Sequence, residues 1–140
     1  MDNPITFKLQ LPAEHRHLNV AGACVAAILE RQPALNEPEN VIYNVQLALQ
    51  EACANIVNHA YSGQPGQIID IAFELEVSPV CLGISLRDTG RSFNPDTVAE
   101  PDLNEVSEGG YGLFLMKQLM DEITYTPLSS GNHWYLVKNL

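Results

Sequence analysis

Three polar residues recur at intervals of four in LALQEACANIVNHAY (residues 47–61): Glu51, Asn55 and His59. At ~100° per residue, each step of four drifts only ~40° around a helix axis, so carboxylate, amide and imidazole share one stripe. The rest of the stretch (Leu47, Ala48, Ala52, Ile56, Val57, Ala60) can pack inward. Such a stripe reads either as the solvated edge of a buried helix or as a row of groups facing a ligand. The small residues beside it, Ala48 and Ala52, would let a ligand come close.

Two further places could carry chemistry. In RDTGRSFNP (87–95), Asp88 ends an apolar strand and Gly90 follows two residues on. Asp and Gly are ordinary turn residues. An ionised Asp at the end of a buried strand, however, only accepts hydrogen bonds and needs a donor, such as the exocyclic amine of adenine. Gly90 would let a flat base lie near the backbone. In EGGYGLFLMKQL (108–119), Gly109, Gly110 and Gly112 open a helix whose unpaired N–H groups and positive dipole end suit a phosphate. The alternative is a helix entry that happens to be glycine-rich. The pattern is neither a Walker A loop nor a dinucleotide fingerprint.

Between these two places, residues 91–109 carry five acids (Asp96, Glu100, Asp102, Glu105, Glu108) and no base after Arg91. A run of like charge is usually a solvated segment. Its position also suits a lid, ordered by a ligand and mobile without one. Cys24, Cys53 and Cys81 are far apart among small or apolar neighbours and show no metal spacing, so they read as reduced core thiols. His15, His17 and His133 read as surface residues, and Trp134 and Tyr135 as members of a half-buried strand.

Composition narrows the function classes. Seven Lys plus Arg against seventeen Asp plus Glu give a net charge of −10. That leaves little basic surface to displace counterions from nucleic acid, and favours basic protein partners. No run approaches the ~20 apolar residues of a membrane span, and MDNPITFKLQLP lacks the pattern of a secretory signal. A cytoplasmic protein with no membrane segment is the expectation. The 140 residues, 46% of them hydrophobic, suit one domain spanning 1–140.

The elements that must position these groups follow from periodicity. ITFKLQLP alternates as a first strand. An Ala-rich helix is expected from Glu14 to about Gln32, and a longer one from Glu39 to about Tyr61, stopped by SGQPGQ. IIDIAFELEV and CLGISLRD form a hairpin. YGLFLMKQLMDEI reads as an amphipathic helix, and ITYTPL and HWYLVKNL as a closing hairpin around SSGN. This order predicts an α+β two-layer sandwich: a mixed, mostly antiparallel sheet with three helices on one face.

Taken together, the pieces resemble a known family. E-x-x-x-N-x-x-x-H-A (Glu51, Asn55, His59, Ala60) resembles the N-box of the GHKL or Bergerat-fold ATPases. D-x-G (Asp88, Gly90) resembles their G1 box, and G-x-G-L (Gly110, Gly112, Leu113) their G2 box. With GRSFNP, LMKQLMDEITY and the closing GN…LVKNL, the chain from about Ile5 to Leu140 resembles the RsbW/SpoIIAB type of anti-sigma-factor serine kinase.

The resemblance implies a Bergerat fold and roles for each residue. Asn55 helps hold Mg²⁺, Glu51 acts as general base toward a protein serine, and Asp88 bonds the adenine amine. His59, Gly90, Gly110, Gly112 and Leu113 belong to the nucleotide-binding set, with the glycines and following amides cradling phosphates. It also implies the cofactors ATP and Mg²⁺, a STAS-type antagonist as phosphoacceptor, a sigma factor or similar sequestered target, and a homodimer. Two positions depart from the pattern. Glu108 stands where some members carry an Arg available to the γ-phosphate, a sign opposed to stabilising transferred phosphoryl charge. Arg91, Lys117 and Lys138 are the candidate replacements. Ser92 stands where wider relatives have a third glycine. Glu108 keeps open one alternative, a nucleotide-gated binding protein without phosphoryl transfer; a second alternative is a detached histidine-kinase catalytic domain, which would want a longer lid and a His-bearing helical partner.

Overall fold

The computed structural model describes residues 4–33, 35–77, 79–92 and 111–140. Strand β1 (Ile5–Pro12) is followed by a 3-10 turn at His15–His17 and helix α1 (Leu18–Glu30). Helix α2 (Pro38–Asn55) runs into a widened π turn, Ile56–Ala60. Next come β2 (Ile68–Val77), β3 (Val80–Asp88), α3 (Tyr111–Leu119), β4 (Glu122–Leu128) and β5 (Gly131–Asn139).

The five strands form one sheet in the order β1-β2-β3-β5-β4. Every pairing is antiparallel, so the α+β sandwich stands while the expected mixture of strand directions does not occur. The crossover through α3 explains the antiparallel outcome. It brings the chain back as an outer strand, β4, and the hairpin then turns β5 inward to pair antiparallel with β3.

Strict alternation in β2 divides its faces: Ile69, Ile71, Phe73 and Leu75 are buried while Asp70 and Glu76 are exposed. The buried face meets Leu18, Ala21, Val25, Ile28 and Leu29 of α1 and Val45, Ala48, Leu49 and Ala52 of α2. Trp134, Ile84 and Leu86 continue this core toward Leu113 and Met116 of α3. Each fully buried large aliphatic or aromatic side chain contributes roughly 1.5–3 kcal/mol.

Two helices end differently from the sequence reading. Glu14 is extended and His15–His17 adopt the 3-10 turn before α1 begins at Leu18. Helix α3 stops at Leu119 although the apolar period runs on to Ile123. The backbone N–H of Asp121 donates to Val137 O at 2.8 Å, so sheet pairing captures the chain there.

Cys53 is fully buried, and desolvation pushes its thiol up to about 12. Cys24 and Cys81 are half-buried, and all three are free thiols. His133 is half-buried rather than a surface residue: its Nε2 lies 2.6 Å from Ser85 Oγ. Trp134 is buried and Tyr135 half-buried on β5. No helix among the described residues is long and apolar enough to cross a membrane.

Candidate functional site

The polar stripe is only partly straight. Glu51 and Asn55 lie on α2, half-buried, whereas His59 falls within the π turn and is exposed. The Tyr61 N–H donates to Ile56 O at 3.0 Å, an i→i+5 bond that inserts one extra residue into the turn. His59 therefore lies past the last α-helical residue, where 3.6-residue periodicity no longer holds. The turn also presents backbone. His59 O accepts from Arg91 Nε at 3.1 Å, and Ala60 O accepts from the Arg91 N–H at 2.9 Å.

Gly90 sits beside that carbonyl. An alanine there would drive its Cβ into Ala60 O and to 2.8 Å from Ala60 Cβ. The missing side chain therefore makes room for the π turn. From sequence alone that space suits a base. Tyr61 completes the junction: its hydroxyl donates to Ile68 O at 2.6 Å and accepts from the Thr89 N–H at 2.9 Å. The end of β3 is thus bolted to the end of α2.

Asp88 is 5% exposed at this junction. Its Oδ1 accepts from the Gly90 N–H at 2.8 Å and from Asn132 Nδ2 at 2.9 Å. Among the described residues, its Oδ2 is the buried side-chain polar atom with no hydrogen-bond partner. Burial raises the Asp88 pKa, and the Asn132 and Gly90 hydrogen bonds oppose the rise. A desolvated carboxylate oxygen without a partner is costly, on the order of 1–3 kcal/mol or more, unless a ligand supplies a donor.

The second half of the site lies where α2 meets α3. An alanine at Gly112 would place Cβ 2.7 Å from Glu51 Oε2 and 3.8 Å from Asn55 Oδ1. The first turn of α3 therefore rests against both polar side chains of α2. Asn55 Nδ2 lies 3.9 Å from Met116 Sδ, an acceptor, which leaves Oδ1 on the Gly112 side. Leu113 turns into the core, 7% exposed, and anchors that end of the helix. Gly109, Gly110, Glu108 and the expected lid from residue 93 onward lie outside the described residues.

Two of the candidate cations are committed elsewhere. Lys138 Nζ donates to Leu119 O at 3.0 Å, at the end of α3 opposite Gly112. Nine residues at ~1.5 Å rise put roughly 13 Å between those ends. Arg91 bonds the His59 carbonyl, and Lys117 is exposed on α3. Among the described residues no group of three or more His, Cys, Asp or Glu gathers as a metal site.

Residues 11–138 match the family model described as a histidine kinase-like ATPase domain. The serine-protein kinase RsbW of Bacillus pumilus is 30% identical over 84% of this chain and 75% of its own. The RsbW of Staphylococcus aureus is 32% identical over 84% of this chain and 77% of its own. Among solved structures, the RsbU and RsbW domains of Rv1364c from Mycobacterium tuberculosis superpose with a TM-score of 0.57 at 19% identity. That match covers 97% of this chain and 32% of the other, and speaks for the fold. With the fold and the match agreeing over nearly the whole length, the chain belongs to the histidine kinase-like ATPase domain family.

Proposed function

We propose that this chain is an ATP-dependent protein-serine kinase of the anti-sigma regulatory type, with the nucleotide held between α2, the end of β3 and the start of α3. The observation that carries the reading is Asp88 Oδ2, buried and unpartnered at one end of the site. The adenine amine is a donor of the right kind for it. At the other end, the glycine-opened first turn of α3 and the polar side chains of α2 provide for phosphates.

Asp88 fixes the base, and Tyr61 and Gly90 keep its strand end pressed onto the π turn. The N–H groups at the start of α3 offer a dipole end to the phosphates. Glu51 takes the proton as the partner's serine oxygen bonds to the γ-phosphorus and the bond to the ADP oxygen breaks. Mg²⁺, when bound, neutralises phosphate charge. Asn55 is the protein ligand that fits it, since this ion keeps most of its waters and takes few protein groups. His59, exposed on the π turn, contributes through its backbone carbonyl.

The phosphoacceptor in this reading is a serine on a small STAS-type antagonist, and the sequestered target is a sigma factor or similar protein. A homodimer belongs to the same proposal, as does a cytoplasmic setting. The acidic surface suits a partner with a basic face.

One observation favours a second reading, nucleotide-gated binding without transfer. Lys138 is tied to the far end of α3, and Glu108 occupies the position of the γ-phosphate arginine. Incubation with γ-labelled ATP and the candidate antagonist domains from the same genome separates the two. Label on a serine of one antagonist supports the kinase. ATP-dependent binding with no label supports the gated binder.

A further inference from the structure

Asn132 is the second residue of β5 and is 1% exposed, yet its sequence context, SSGN, is that of an ordinary hairpin turn. Every bonding position of its amide is used. Nδ2 donates to Asp88 Oδ1 at 2.9 Å, to Arg91 O at 2.9 Å and, more weakly, toward Gly90 O at 3.4 Å. Oδ1 accepts from Ser92 Oγ at 2.5 Å and from Tyr125 Oη at 2.7 Å. The orientation is not interchangeable. Arg91 O and Gly90 O can only accept, so the NH₂ must face them, and both hydroxyl protons must then point at Oδ1.

We infer that Asn132 is a positioning residue that sets base selectivity by holding Asp88 with one oxygen occupied and the other presented as an acceptor. The inference deepens the proposed nucleotide site and rests on it. With Oδ1 engaged by two donors, the carboxylate cannot rotate without breaking both bonds. Oδ2 alone is left for the ligand, and it accepts from a 6-amino group while opposing a 6-oxo group. Burial favours a proton on Asp88, and the Asn132 bond resists it. A protonated Asp88 would become a donor, and the preference for an amine would fade. Among the described residues, the other titratable groups nearby are the phenols of Tyr61 and Tyr125, and Asp70 and Arg87, which line a cleft of about 430 Å³ with Asp88. Gly131, next in sequence, brings β5 onto this strand end: a Cβ there would overlap Asp88 O. Ser92, which replaces a glycine of the wider pattern, supplies one of the two hydroxyls that hold the amide.

ATP and ITP differ at the purine 6-position, amine against oxo, so the ratio of their dissociation constants reads this device directly. Calorimetry on the full chain should give a wild-type preference for ATP of ~30-fold or more, the worth of a charged hydrogen bond. Asn132→Ala should bring the ratio to within ~5-fold, with ATP weakened more than ITP. Tyr125→Phe removes one of the two hydroxyls on Oδ1 and should lower the ratio less, in the same direction. It also serves as the test should Asn132→Ala fail to fold. Equal weakening of both nucleotides in the Ala variant, or an unchanged ratio in Tyr125→Phe where Ala does not fold, overturns the positioning role. Wild type that binds ATP without preferring it over ITP refutes Asp88 as the base reader. Wild type that binds no ATP refutes the nucleotide site itself.

Discussion

Replacing Gly112 with alanine should separate stability from activity. The added Cβ would lie 2.7 Å from Glu51 Oε2, about 0.7 Å inside the 3.4 Å of ordinary contact. The obstacle is the far end of a flexible, half-buried side chain, so Glu51 can swing aside at little cost. The backbone gains: glycine within a helix costs roughly 0.5–1 kcal/mol against alanine, and Gly112 is the second residue of α3. The variant should therefore unfold at the wild-type temperature or slightly above. Its chemistry should suffer, because the carboxylate that must take the serine proton has moved by most of an ångström. Misplacement of that size costs on the order of 10–10²-fold in rate. The assay is a phosphorylation time course with the cognate antagonist beside a thermal melt. Wild-type transfer in the alanine variant would refute the packing of Glu51 against α3 as a catalytic arrangement. A large loss of stability would refute the claim that only a side chain stands in the way.

Gly90→Ala should fail for the opposite reason. Its Cβ meets the backbone of Ala60, which cannot step aside, so a destabilisation of ~1–3 kcal/mol is expected in chemical denaturation. Asp88→Asn should abolish most ATP binding, losing ~2–4 kcal/mol, or 30-fold or more in calorimetry. The same variant should not lower the melting temperature of the nucleotide-free protein at neutral pH. The pKa of Asp88 is raised, so its charge opposes folding above its ordinary value of 3.8, and the variant's advantage should vanish below that pH. The pKa of His133 is lowered by burial and then by Arg87, so stability should fall as pH drops below its ordinary 6.5. His133→Gln should flatten that part of the curve in a pH series of melts.

Much of the fold was legible because single segments carried their own periodicity. β2 alternates without a fault, and α2 is long and punctuated by SGQPGQ. What escaped was decided by partners distant in sequence. Nothing in IVNHAY announces a π turn. It becomes visible once Ala60 O and His59 O are seen bonding Arg91, 31 and 32 residues on. The end of α3 was misjudged because pairing with β5 outcompeted a continuing helical period. In the candidate site, Glu51, Asn55, Asp88 and Gly112 could be picked out by residue type and spacing. Tyr61, Asn132 and Met116 could not. A tyrosine after an alanine, an asparagine in a turn and a methionine in an apolar helix carry no signal until their neighbours are in place. Gly90 stands out in the sequence as room for a base, and the side on which a Cβ would stand faces Ala60.

The most direct test of the central claim is Glu51→Gln, which keeps size and nearly keeps helix propensity while removing the base. ATP and partner affinity, measured by calorimetry, should match wild type. Phosphoryl transfer to the antagonist serine, followed with labelled ATP, should fall by ~10²–10⁴-fold. Transfer at the wild-type rate would contradict the account.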